Sequence, residues 1–347
     1  MYIPVLKNRL YENKFLRENQ YLFDSNNICP MIEIIDLKIG RTACGVEDLI
    51  THYDKSIDSK YFIDFFVTTQ GEYTNVDFSK VKFSLDNRDE SIYNYQELLK
   101  STIKSKLSIP VISIKRQRPF ILNGTKIIEL ITSCQGYKDS IAVRIVAELY
   151  DEYSDLINGL LRDNDYLIYD INEETIESRF FDMHKLEEYN ANYKKIILHS
   201  PRPSKLNNGS YIDGAYTGLI DNSLRDEYFS YDFDGFADYA GLKNVLPSSG
   251  GNGRGAALGL FFVDEQNVFF TIKNEDSTEG ARGYNYVIDE AYNKYYSKLN
   301  PNNNCPAFDY IDNELRSRNK NGAWGQWKYI TILRYISQIK QSTNNHL

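Results

Sequence analysis

The 347-residue sequence is poor in cysteine. Its four, Cys29, Cys44, Cys134 and Cys305, form no Cys-x-x-Cys pair and belong to no His/Cys cluster. This excludes the common zinc-ribbon and thioredoxin-like arrangements, and the four are expected to be reduced, buried thiols. No window approaches the ~20 continuous apolar residues that span a bilayer. The first residues, MYIPVLKNRL, contain no apolar core of signal-peptide length and no small-residue cleavage site. The expected location is therefore cytoplasmic, with no membrane contact. Basic charge is not in excess: 48 acidic residues face 40 lysines and arginines, a net charge of −8. Such a field opposes binding to polyanions, so nucleic acid is not an expected partner. The best local basic cluster, residues 115–118 (KRQR), reads as a solvated loop after a strand. Internal repeats and a Gly-x-Ser-x-Gly elbow are also missing. Residues 247–255 (PSSGGNGRG) are glycine-rich, but they run into AALGLFFV rather than into Gly-Lys-Ser/Thr and a helix. They read as a connecting loop and not as a phosphate cradle.

What is present is a succession of short apolar runs. They are YIPVL (2–6), PMIEII (30–35), YFIDFFV (61–67), IPVISI (109–114), IAVRIV (141–146), YLIYDI (166–171), KIILH (195–199), GFADY (235–239), AALGLFFV (256–263) and VFFTI (268–272). Runs rich in Ile, Val, Phe and Tyr read as strands, and their lack of polar alternation predicts cover on both faces. Between them lie amphipathic stretches. Residues 148–161 place Leu149, Tyr153, Leu156 and Leu160 at helical spacing. Residues 173–189 open with acidic side chains, as helix starts do, and 284–299 carry a stripe through Val287, Ala291 and Tyr295. Strand alternating with helix predicts an α/β fold. The expected form is a (β/α) barrel-like domain of mostly parallel strands over residues 1–299, with a doubly wound open sheet as the alternative. Residues 300–347, with Trp324 and Trp327 in GAWGQWKYITILRY, are expected to close the structure by packing on the barrel.

Several of the apolar runs hold one ionisable residue each: Glu33, Asp64, Arg144, Asp170 and Asp238, with Lys115 and His199 at run ends. A charge among Ile, Phe and Val is costly unless paired. In a barrel such residues can point to the axis, and those near strand carboxyl ends converge on the mouth where barrel enzymes build their sites. The expected catalytic set is Glu33, Asp64, Asp170 and His199. Asp64 and Asp170 suit a general acid–base pair or oxygen ligation of a divalent ion, and His199 suits a general base. Ser200 beside it is not read as a nucleophile. The expected ligand-binding set is Lys7, Lys115, Arg144, Arg202, Asp238 and Tyr239, with Arg202 held between two prolines. A structural ion-pair network of Arg144 with the carboxylates accounts for the same pattern equally well. No residue cluster specifies a metal or a cofactor.

Taken together, the opening Tyr2, Leu6 and Lys7, then Glu12, then PMIEII around Glu33 resemble the start of the phage "beta protein" family and its bacterial relatives. The Asp64 strand, IPVISI, the Arg144 and Asp170 strands, GFADY at Asp238 and Tyr239, and the closing GAWGQWKYITILRYI extend that likeness over nearly the whole chain. The family often has Lys-Gly-Lys near its start, whereas this chain has Lys7-Asn8-Arg9. The resemblance implies a barrel-like α/β protein of phages and of bacterial mobile or defence-type gene neighbourhoods. The expected function is a component of a phage–host conflict system whose polar mouth binds or processes a phosphate-containing small ligand. The competing class is a non-catalytic interaction protein that senses or blocks a partner protein encoded by a neighbouring gene.

Overall fold

Eight of the apolar runs supply the strands of one parallel barrel. They are β1 (Tyr2–Lys7), β2 (Met31–Ile34), β3 (Tyr61–Phe65), β4 (Ser108–Ile114), β5 (Ala142–Val146), β6 (Tyr166–Asn172), β7 (Lys194–His199) and β8 (Gly235–Asp238). In this computed structural model the described residues are 1–24, 26–65, 76, 81, 88–115, 122–189, 191–247 and 255–345, the side chains of 88–91 and 343–345 excepted. Residues 66 and 67 of the third run, 116–118 of the basic cluster and 248–254 of the glycine-rich loop lie outside them.

Each strand pairs in parallel with its sequence neighbours, and β8 pairs with β1 to close the ring. Closure needs a glycine at the first position of β8, because a Cβ on Gly235 would meet the Met1 carbonyl. Helices fill the crossovers, among them Leu10–Glu18, Val46–Ser56, Gly124–Gln135, Ala147–Asn158 and Phe180–Glu188. The chain is therefore a closed (β/α) barrel protein. Parallel strands cannot be joined by tight turns, so the helical stretches between the runs demanded this class.

The helix after β5 keeps its expected place but not its expected face. Ala147–Asn158 buries Leu149, Tyr150, Ser154 and Ile157, and it ends before Leu160. Tyr153 and Leu156 are only half-buried. The stripe chosen by counting large apolar residues is thus rotated from the one that packs. The helix expected from residue 173 starts later, as a 3-10 turn at Glu177–Arg179 followed by Phe180–Glu188. A bulge at the end of β6, with Asn172 in the left-handed region at φ 54°, delays it.

The last two runs are not barrel strands. Leu258–Val263 and Val268–Lys273 form an antiparallel hairpin, and Ala215–Thr217 adds to it as a third strand. Residues 264–267 between them are too few for a parallel crossover, which takes a dozen or more. Asn267, at φ 50°, makes the reversal.

The chain also divides elsewhere than at residue 299. One compact unit holds Met1–Ser200, Leu224–Asp238 and Val245–Ser249; it contains the whole barrel. The second holds Pro201–Ser223, Tyr239–Asn244 and Gly250–Leu347. Within the second unit the long helix Trp324–Asn345 covers the hairpin. Trp327 stacks on Tyr284 at 4.6 Å and meets Phe261 edge-on, while its indole donates to the Asn321 carbonyl. Among the described residues no helix is long and apolar enough to cross a membrane.

Candidate functional site at the carboxyl ends of the barrel strands

Strand register decides which side chains share the barrel interior. Lys7 of β1 lies opposite Glu33 of β2, and Glu33 opposite Asp64 of β3. Side chains that pair in register leave the sheet on the same face. Ser113 of β4 lies opposite Arg144 of β5. Two residues before Asp170 on β6, Ile168 lies opposite Arg144. Lys7, Glu33, Asp64, Ser113 and Asp170 stand at or near the carboxyl ends of their strands, Arg144 is at the middle of β5, and all are buried.

Arg144 is the hub. Its Nη1 donates to Glu33 Oε1 at 2.7 Å and to Asp64 Oδ2 at 3.0 Å. Its Nε and Nη2 both donate to Asp170 Oδ2, at 2.9 and 2.7 Å. Lys7 Nζ pairs with Glu33 Oε2, and the Ser113 hydroxyl donates to Asp64 Oδ2 at 2.7 Å. Asp170 is engaged at both oxygens, since Oδ1 accepts from the Asn172 backbone at 2.9 Å across the bulge. Asp64 is not: its Oδ1 is buried without a hydrogen-bond partner among the described residues.

The charges do not balance within this layer. Two cations, Lys7 and Arg144, face three carboxylates. Burial works to raise the Glu33 carboxyl, but the charges of Lys7 and Arg144 outweigh it and hold the group well below its ordinary range. For the Lys7 amine, burial outweighs the attraction of Glu33 and lowers it. Removing one member of such a network strands the others in a medium of low polarity.

The chemistry follows from these contacts. The guanidinium sits among the carboxylates where a metal ion would otherwise neutralise them. Among the described residues no group of three or more His, Cys, Asp and Glu is placed to hold a metal ion. Asp64 and Asp170 do have unlike environments, as an acid–base pair requires. Asp170 is engaged at both oxygens, and Asp64 Oδ1 is open among the described residues.

The other expected residues fall differently. Lys115 directly follows β4, continues the alternation of Val111 and Ser113, and is buried. His199 ends β7 opposite Asn172 and is buried, but it is one residue past Leu198, which pairs with Asp170 on the interior face. His199 therefore falls on the outer set. Asp238 does not join the common interior either. Ala237 pairs with Leu198 and Ile3, so the interior position on β8 is Ala237. Asp238 lies opposite Pro4 and accepts from the Tyr2 hydroxyl at 2.8 Å, on the face where Tyr2 stacks on Phe236.

Arg202 and Tyr239 belong to the second unit. There Arg202 donates to the Tyr211 hydroxyl at 3.0 Å, the Gly241 carbonyl at 3.4 Å and Asn208 Oδ1 at 3.5 Å, and Tyr239 is buried. Glu12 is buried beside Arg9 at 3.2 Å.

Three contributors went unrecognised in the sequence. Ser113 orients Asp64. Asn8 ties the β1 and β2 ends together, its Oδ1 accepting from Ile35 N at 2.8 Å and its Nδ2 donating to the Asp36 carbonyl. Ser200, just past β7, has a buried hydroxyl without a partner among the described residues. A search for ionisable residues passes over all three. The signal for Ser113 was a hydroxyl two positions before Lys115 in an otherwise apolar run.

No family model matches the chain, and no curated protein matches it. Among solved structures it is similar to the GH20 beta-N-acetylhexosaminidase from Streptomyces coelicolor A3(2), at 8% identity and a TM-score of 0.32, over 58% of this chain and 48% of that chain. The similarity spans less than half of that enzyme's length and is too loose to bear on activity. The barrel rests on the strand pairing itself.

Proposed function

We propose that this chain is a component of a phage–host conflict system, acting in the cytoplasm, and that its barrel mouth binds or processes a phosphate-containing small ligand. One observation carries the site reading. Side chains from six strands converge near their carboxyl ends, and one buried carboxylate oxygen among them, Asp64 Oδ1, has no partner among the described residues. Barrel proteins place their chemistry at this end. Lys7, Arg144 and the buried Lys115 are the cations at this end of the barrel that would face an anionic group, and Asp64 Oδ1 is the acceptor open to a donor. The likeness to the phage "beta protein" family supports the biological setting.

The test is Asp64→Asn. An amide fits the same space, keeps an oxygen toward Arg144 and Ser113, and turns the open acceptor into a donor. The variant should melt within about 1 kcal/mol of wild type and lose phage protection in cells. Full protection by a folded Asp64→Asn protein would sink the reading.

A second reading has its own observation. Phe180 and Phe181, at the start of the helix after β6, are 68% and 86% exposed and pack edge to face. Adjacent exposed aromatics favour contact with a protein, such as one encoded by a neighbouring gene. A Phe180→Ser, Phe181→Ser protein that loses protection while keeping its ligand affinity would favour this class over the first.

A further inference from the structure

Two buried polar atoms at the mouth end have no partner among the described residues: Asp64 Oδ1 on β3 and Ser200 Oγ just past β7. Ser200 continues the strand alternation. Its backbone N–H donates to the Asn172 carbonyl, extending the β6–β7 ladder, and it lies two residues beyond Leu198 of the interior set. The order of strands in the closed barrel puts β4, β5 and β6 between β3 and β7 on one side, and β2, β1 and β8 on the other. Asp64 and Ser200 therefore stand on opposite walls.

A buried polar group left unpaired costs more than its hydrogen bond would return. A molecule lying across the axis, from one wall to the other, would answer both groups at once. Asp64 Oδ1 accepts only, so it selects a hydroxyl or amino donor; the Ser200 hydroxyl donates or accepts. We propose that the ligand is a polyhydroxylated small molecule of the sugar-phosphate class, with hydroxyl groups bound by Asp64 on one wall and Ser200 on the other. The proposal rests on the reading of the mouth as a phosphate-ligand site and adds the part of the ligand that is not phosphate.

The experiment is titration calorimetry of the full chain with ribose 5-phosphate, ribose and methyl phosphate, repeated on Ser200→Ala and Asp64→Asn. Ribose 5-phosphate should bind wild type about tenfold more tightly than methyl phosphate. Ser200→Ala, which removes one small group, should weaken ribose 5-phosphate about three- to tenfold and leave methyl phosphate unchanged. Asp64→Asn should weaken it further. Equal affinity for ribose 5-phosphate and methyl phosphate overturns the polyol proposal and leaves the phosphate reading standing. So does a wild-type preference that neither variant changes. Ribose binding as tightly as its phosphate, with loss in Ser200→Ala, keeps the polyol proposal and removes the phosphate. If none of the three compounds binds, both fall.

Discussion

Each unit of this protein buries a guanidinium, and the two solve the problem in opposite ways. Arg144 in the barrel is held by three carboxylates. Arg334 in the second unit, also fully buried, donates to the Phe262 carbonyl at 2.6 Å, the Leu299 carbonyl at 2.8 Å and Cys305 Sγ at 3.2 Å. Among the described residues no carboxylate pairs with it, and its guanidinium lies 5.9 Å from the ring centroids of both Phe261 and Phe308. Neutral acceptors fixed by the backbone suffice where the task is to join a hairpin, a helix and a loop. The Arg144 cluster instead holds more carboxylates than cations, with one oxygen, Asp64 Oδ1, unpartnered among the described residues. The difference separates a buried charge that staples a fold from one that, on the function proposed above, arranges a site.

Substitution tests that separation most strongly. Arg144→Met leaves three buried carboxylates with Lys7 alone and should cost about 5 kcal/mol in urea unfolding, enough to unfold the chain. Arg334→Met keeps the bulk and removes the guanidinium donors from the Phe262 and Leu299 carbonyls, for about 2 kcal/mol. If the second variant proves the less stable, the contrast between the two arginines is wrong.

Acid sharpens the same contrast. Glu33 is held at about 2 against an ordinary 4.5, so between those values the unfolded chain binds a proton that the folded chain does not. Its contribution, about 3 kcal/mol by linkage, is complete above pH 4.5 and is lost as the pH falls toward 2. Glu33→Gln should flatten that limb of the stability curve, whereas Arg334→Met should leave its slope unchanged.

A smaller effect belongs to Ser113→Ala, which removes one donor from Asp64. It should cost about 1 kcal/mol and, if Asp64 binds ligand, weaken that binding as well. Thiol reactivity is the mildest probe. All four cysteines are thiols outside any disulfide, and only Cys44 is partly exposed. Burial pushes the Cys29 thiol up and Cys134 up to about 11. Brief alkylation of the native protein should therefore modify Cys44 first, and intact mass after denaturation should show four adducts and no disulfide.

Much of the site was legible because a charge inside an apolar run has few places to go. Glu33, Asp64, Arg144 and Asp170 were each the only ionisable residue in their run, and all four meet in the interior. Asp238 carried the same signal and faces the other way. Alternation along a strand has a period of two, so a shift of one residue exchanges the faces, and register is set by neighbouring strands rather than by the run itself. His199 fails for the same reason. The hairpin at 258–273 is a different kind of miss, since the shortness of residues 264–267 was visible and excluded a parallel pair.

What the sequence determined by itself was the class. Short β-branched and aromatic runs joined by amphipathic stretches have to form strands with helical crossovers, because their apolar faces can be covered in no other way. The tertiary structure alone decided which runs close the ring, and that Arg144 takes Glu33, Asp64 and Asp170 together. It also left Asp64 Oδ1 and Ser200 Oγ without partners among the described residues, on opposite walls. Those outcomes depend on strand order and stagger around a closed sheet, where residues more than a hundred positions apart become neighbours, and no local pattern encodes that distance.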